Sequence, residues 1–126
     1  RPIIENALNS SRDALLLVAI ARTGKPVGMA LITPDSASQN HALLRYFAVS
    51  PSAWGLGVGK ALIQETTAEL LARGFKSAWL EVYESNRSAI RLYQDHGWHV
   101  SKETPVHNKT GKRLLTFMLD LSEKLD

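Results

Sequence analysis

The sequence predicts a mixed α/β (α+β) fold in the order strands, helix, strand, helix, strands. Three observations carry this expectation. Short apolar runs punctuated by turn residues continue as far as Val49. A glycine-rich turn, Gly55 to Gly59, then opens a stretch of helix-favouring composition. After it, Ser77 to Tyr83 alternates apolar and polar residues and leads into a second short helical pattern. Strands separated by helices need crossovers, so neither an all-β fold nor a pure parallel stack is expected.

Taken in order, residues 1 to 13 are mixed and polar, and Asn9-Ser10-Ser11 reads as a loop or cap. Ala14 to Arg22 is expected as a buried strand, because Leu15, Leu16, Leu17, Val18 and Ile20 form one run. Thr23-Gly24-Lys25-Pro26 is a turn, and Val27 to Thr33 the returning strand. Pro34 to Asn40 reads as a polar loop, and Ala42 to Val49 as a third strand. Beyond the glycine turn a helix runs to Arg73, with Val58, Leu62, Thr66 and Leu70 on one side and Gly74 as its stop. In Ser77 to Tyr83, Ala78, Leu80 and Val82 face one way, and Trp79, Glu81 and Tyr83 the other. Asn86 to His96 is a short helix stopped by Gly97. Trp98 to Val106 and Leu114 to Leu121 close the sheet around a polar, basic loop, His107 to Arg113.

The 126 residues suit one domain, residues 1–126, with no repeat or linker. Cysteine is absent, which excludes a disulfide framework, a thiolate zinc site and a cysteine nucleophile. No apolar run approaches the ~18 residues of a membrane helix, and no secretory signal is visible, so a cytoplasmic protein is expected. The chain begins at Arg1 rather than Met, which reads as a trimmed chain or a fragment. A net charge of +3 could help to attract a polyanionic ligand. The Lys and Arg residues are scattered rather than gathered in a stripe, which argues against nucleic-acid binding. Arg73-Gly74-Phe75 resembles the start of an RNA-binding RNP1 motif, but Lys76-Ser77-Ala78 breaks it. His41, His96, His99 and His107 lack metal-ligand spacing, so no metal is expected.

A strand, a glycine turn and a helix together can cradle a phosphate on backbone N–H groups at a helix N-terminus. The P-loop pattern fails, because Ala61 follows Gly59-Lys60 and Trp54 stands where the first glycine belongs. The dinucleotide pattern fails at Lys60 and at Leu62. A pyrophosphate turn for coenzyme A remains, beside a purely structural turn.

The second motif decides between them. Asn86, Ala89, Tyr93, Gly97 and Trp98 fit Asn-x-x-Ala-x-x-x-Tyr-x-x-x-Gly-aromatic, one strand and one helix downstream of the glycine turn. That joint order resembles the GCN5-related N-acetyltransferase (GNAT) family, over roughly Leu15 to Leu121. The family's turn usually reads Arg/Gln-x-x-Gly-x-Gly/Ala. Gly57 and Gly59 match it, and Trp54 stands at the Arg/Gln position. The placement of Leu80-Glu81-Val82 is similar to the ribosomal-protein N-terminal acetyltransferase branch. Residues 1 to 13 are too few for the strand and helices with which the family usually begins.

The resemblance implies a mostly antiparallel central sheet with helices on both faces. It implies acetyl-CoA as co-substrate and an amine, of a small molecule or a protein, as acceptor. Acetyl-CoA is expected between two splayed strands that end near Val49 and Val82, with Phe47, Ala48 and Val49 along one side. The Val49 N–H would polarise the thioester carbonyl. Backbone N–H groups of Trp54, Gly55, Leu56, Gly57, Val58, Gly59 and Lys60 would hold the pyrophosphate, with Asn86 and Ala89 beside the pantetheine arm. Tyr93 matches the tyrosine that protonates the departing thiolate, and Glu81 is the candidate general base for the amine. Without cysteine, direct transfer in a ternary complex is expected. A catalytically silent acyl-CoA-binding module is the rival reading, and retention of Glu81 and Tyr93 argues against it. The basic loop Asn108 to Arg113 could meet an acidic acceptor, and Leu114 to Leu119 could pair across a homodimer.

Overall fold

A computed structural model describes residues 3–6, 14–103 and 111–122. Seven strands form one sheet in the order β1-β2-β3-β4-β5-β7-β6. They are β1 (Ile3–Asn6), β2 (Leu15–Ile20), β3 (Pro26–Asp35), β4 (Ser38–Val49), β5 (Ser77–Tyr83), β6 (His99–Glu103) and β7 (Leu114–Asp120). Helix α1 (Val58–Ala72) joins β4 to β5, and α2 (Arg87–Asp95) joins β5 to β6. Every strand pair is antiparallel except β4 with β5. The mixed, mostly antiparallel sheet predicted from the sequence is therefore present.

Three expectations change. Ile3–Asn6 is a strand, paired Ile3 to Ile20 through Asn6 to Leu17; four residues are too few to show a period. Pro34 to Asn40 is not a loop. The hairpin continues to Asp35, turns at Ser36-Ala37 and returns from Ser38. Asp35 Oδ1 accepts from the Ala37 N–H at 2.9 Å, and a register shift beside Pro34 absorbs a residue that cannot donate to the ladder. The third change concerns the helices. Among the described residues both lie on one face of the sheet, not on two. The buried strand residues Leu15, Leu17, Ala30, Ile32, Ala42, Leu44, Ala78, Leu80, Val82, Leu115, Phe117 and Leu119 all point to that face. They share one cluster with Leu62, Ile63 and Leu70 of α1 and Tyr93 of α2. The opposite face, with Leu16, Val18, Leu31, Leu43 and Met118, is only half-buried.

Local chemistry explains the helix limits. Thr66 and Thr67 donate their hydroxyls to the Leu62 and Ile63 carbonyls at 2.8 and 3.1 Å, which lets two β-branched polar residues sit inside α1. Gly74, at φ 82°, ends α1: its N–H reaches the Leu71 carbonyl while the Phe75 N–H reaches that of Leu70. Gly97, at φ 93°, ends α2 in the same way, with the Trp98 N–H on the Tyr93 carbonyl. Trp98 thus closes the helix and drops into the core rather than opening β6, which starts at His99. The rest of that predicted strand and most of the basic loop, residues 104–110, lie outside the described residues.

The site is set by β4 and β5. They pair only from His41–Leu43 to Ser77–Trp79. Beyond that, β4 stays with β3 as far as Val49, and β5 stays with β7 as far as Tyr83. Each strand keeps one partner, so the two part. The closed end is held by a hydrogen bond between His41 Nδ1 and Ser77 Oγ and by the Lys76 N–H on the Asn40 carbonyl at 2.8 Å.

Phe117 belongs to the core cluster that both helices share and is 1% exposed. Phe117→Ala should cost about 3–5 kcal/mol, read as a lower urea midpoint with unchanged slope.

Candidate functional site

Where β4 and β5 part, a cleft of about 630 Å³ opens between α1 and α2. Phe47, Ala48 and Val49 of β4 form one wall, and Asn86, Ala89 and Tyr93 of α2 form the other. The glycine turn closes the end, with Trp54, Gly55, Gly57, Val58 and Gly59 along it. Most residues expected at the cofactor therefore border a single cleft. Two do not: Leu56 is exposed and lines a neighbouring pocket, and the Lys60 side chain points to solvent. Ala53, Ser88 and Leu92 line the cleft and were missed. Helical spacing could have found the last two, because Ser88 and Leu92 are four apart and flank Ala89 and Tyr93.

Backbone direction at the end of β4 follows from one bond. The Ser50 N–H donates to the Val27 carbonyl of the β3 side at 2.8 Å. The Val49 carbonyl, in the same peptide unit, must point the opposite way, toward the gap. In an extended strand the N–H of that residue points with its carbonyl. Val49 thus presents its N–H to the cleft, where the resemblance requires it. The Trp54 indole donates to the Val49 carbonyl at 2.9 Å. The tryptophan that departs from the family pattern ties the turn to the strand end.

The turn leaves donors free. Gly55 and Gly57 adopt φ of 80° and 79°, where an L side chain is strained. Gly57 caps α1 without a side-chain acceptor, and the first turn of α1 carries no acidic residue. The N–H groups of Val58, Gly59 and Lys60 therefore have no partner within the helix and face its positive end. An anion is what such donors accept. The expected series is narrowed at two positions: the N–H groups of Trp54 and Leu56 close the turn on the Pro51 and Ala53 carbonyls at 3.2 and 3.3 Å. Asn86 has a local task as well, since its Oδ1 accepts from the Ala89 N–H at 3.3 Å and caps α2.

Tyr93 sits between two rings, Phe47 at 5.9 Å edge-on and Trp98 at 6.0 Å. Its burial pushes the phenol up to about 12. The Trp98 indole N–H is buried with no partner among the described residues, so packing alone holds that ring. Glu81 does not border the cleft. It is exposed, and it alternates with Leu80 and Val82, so it projects from the opposite face of the sheet to Tyr93. Its register partner is Thr116, and Tyr83 next along that face carries the Lys112 ammonium 5.5 Å above its ring.

A parallel strand pair that parts above a glycine-led helix is the architecture of the acyl-CoA N-acyltransferases, and this chain has that class of fold. It belongs to the Acetyltransferase (GNAT) family, whose profile matches residues 2–98. It is 40% identical over 60 residues to the [Ribosomal protein bS18]-alanine N-acetyltransferase of Escherichia coli (strain K12), covering 48% of this chain and 40% of that one. The crystal structure of the ribosomal-protein-S18-alanine N-acetyltransferase from Escherichia coli superposes with a TM-score of 0.78 at 27% identity, covering 92% and 74% of the two chains. Mycothiol acetyltransferase from Thermomonospora curvata is 35% identical over 88 residues, 68% of this chain and 28% of that one. The chain thus spans less than half the length of the curated relatives it matches.

The Tyr93 environment predicts an alkaline instability. The unfolded phenol loses its proton near pH 10 and the folded one near 12, so the stabilisation is complete below pH 10 and disappears as pH rises through 12. Chemical unfolding between pH 9 and 12 should show Tyr93→Phe falling less steeply than the parent, by about 2 kcal/mol across that interval. Parallel profiles would show that the phenol is not buried.

Proposed function

We propose that the protein is an acetyl-CoA-dependent N-acetyltransferase that passes the acetyl group to a primary amine directly, within a ternary complex. The parting of β4 from β5 carries this reading. Val49 at the end of β4, the first turn of α1 with its unpaired N–H groups of Val58, Gly59 and Lys60, and Tyr93 of α2 all stand at that cleft, which supports the reading.

The co-substrate supplies an activated acetyl thioester, and the chain's own groups do the rest. The N–H groups at the start of α1 bind the pyrophosphate. The Val49 N–H donates to the thioester carbonyl and stabilises the oxyanion that develops there. The amine enters from the Glu81 face through the gap. A lysine-type amine (pKa ≈ 10.4) arrives protonated near neutral pH, and Glu81 accepts its proton directly or through water. The new N–C bond forms as the C–S bond breaks, and Tyr93 donates to the departing sulfur. Complete proton transfer from a phenol at about 12 to a thiol of ordinary pKa ≈ 8.5 would be uphill by about 5 kcal/mol. Tyr93 therefore acts first as a hydrogen-bond donor to sulfur. Its high pKa keeps it protonated, and so competent, at every physiological pH.

The curated relatives bear different substrate names, a ribosomal-protein alanine and mycothiol, so likeness alone selects no acceptor.

Saturating acetyl-CoA, at 100 times its dissociation constant, should stabilise the fold by about 2.7 kcal/mol. That is a rise of roughly several degrees in Tm, with NADH and ATP as controls. No shift with acetyl-CoA removes the cofactor assignment. Tyr93→Phe should keep this shift while kcat falls on the order of 10²-fold. An unchanged chemical step would take Tyr93 out of the mechanism. Glu81→Gln should lose rate near neutral pH and recover part of it at higher pH, where the amine deprotonates unaided. A pH profile parallel to the parent's counts against Glu81 as base.

A further inference from the structure

Lys112 stands on the face of the sheet that carries Glu81. Leu114 opposes Tyr83 in the β5–β7 ladder, so Lys112, two residues earlier, falls on the same face as Tyr83 and Glu81. Its Nζ lies 5.5 Å from the centre of the Tyr83 ring, within the range of a cation–π contact. Tyr83 and Glu81 are two apart on β5, about 7 Å along the strand. The backbone beside Lys112 is tied to the end of β5. The Glu84 N–H donates to the Arg113 carbonyl at 2.8 Å, one step beyond the ladder, and the Arg113 guanidinium reaches the Glu84 carboxylate at 3.8 Å. Lys112 and Tyr83 are both exposed, and a cation over an exposed ring is held weakly, so the ammonium exchanges readily between the ring and its surroundings. Lys25 precedes β3, Lys60 lies on α1 and Lys76 precedes β5, all away from the Tyr83 end of that strand.

We propose that Lys112 is itself an acceptor: the site transfers an acetyl group from its co-substrate to the Lys112 Nζ of the same chain. The proposal rests on the acetyl-CoA reading above and names one amine that the same centre modifies. The Tyr83 ring already holds a primary ammonium on the Glu81 side of the sheet. An amine tethered there needs no second encounter, and intramolecular placement raises its effective concentration far above that of a free amine. The ammonium gives one proton to Glu81, directly or through water. The nitrogen lone pair then attacks the thioester carbonyl carbon, so that the N–C bond forms and the C–S bond breaks. The sulfur leaves with its electron pair and takes up a proton, and the nitrogen sheds its second proton as the amide forms. The products are acetyl-lysine, coenzyme A and one net proton. The amide carries no charge, so its attraction to the Tyr83 ring is lost.

The test incubates the chain with isotope-labelled acetyl-CoA and maps every lysine by peptide mass spectrometry. Label should appear at Lys112 at least about tenfold faster than at Lys25, Lys60 or Lys76. That preference should vanish in the urea-unfolded chain, and the half-time should not change on dilution of the protein, because transfer occurs within one chain. Glu81→Gln should slow the labelling of Lys112 on the order of tenfold or more near neutral pH. Lys112→Arg keeps a cation for the ring but cannot be acetylated in this way; it should lose the label and keep the Tm shift with acetyl-CoA. Label spread evenly over the lysines, or gathered on a different one, overturns the proposal. So does a preference that survives in urea, a rate that scales with protein concentration, or a rate that Glu81→Gln leaves unchanged. If acetyl-CoA gives no Tm shift, the acetyl-CoA reading itself fails; a shift without label at Lys112 overturns this proposal alone.

Discussion

The rest of the site depends on two strands that stop pairing. β4 and β5 share three register positions, then each follows its antiparallel neighbour. Parallel pairs are slightly the weaker kind, and here the pair yields to antiparallel ladders on both sides. The parting has several effects at once. It frees the cleft side of the Val49 backbone from pairing, makes room for the start of α2 beside the start of α1, and opens the cleft between them. No side chain has to be strained to produce it.

The two chemical centres then differ in kind. The glycine-turn end presents backbone N–H groups, and glycine supplies the left-handed conformations of the turn before them. Such a device costs little burial and tolerates a change of side chain, and so Trp54 can replace a polar residue there. The end that holds Tyr93 is the reverse. Tyr93 packs between Phe47 and Trp98, and its burial is what holds the phenol above its ordinary range.

The sequence made the helices and central strands legible because their signals are local. Gly74 and Gly97 stop helices by their own backbone conformation, and Ala78, Leu80 and Val82 alternate within one strand. What it hid depends on partners distant in sequence. Ile3–Asn6 is a strand only because Leu17 to Ile20 pairs with it. Pro34 reads as a loop residue until a register shift accommodates it. The alternation showed that Glu81 and Leu80 face opposite ways, but not which side held the cofactor, since that depends on where α1 and α2 pack. The Trp54 indole bond to Val49 joins residues five apart through a turn whose shape no composition reveals.

That indole has an optical consequence. The three tryptophans stand in different surroundings: Trp98 buried, Trp79 half-buried, and Trp54 68% exposed at the lip of the cleft. Indole fluorescence shifts with the polarity around the ring and is quenched by stacked bases and nearby carbonyls. Trp98 and Trp79 are set back from the lip, while Trp54 emits from the edge of the cleft itself. The residue that breaks the family pattern thus equips the chain with its own label-free reporter of occupancy.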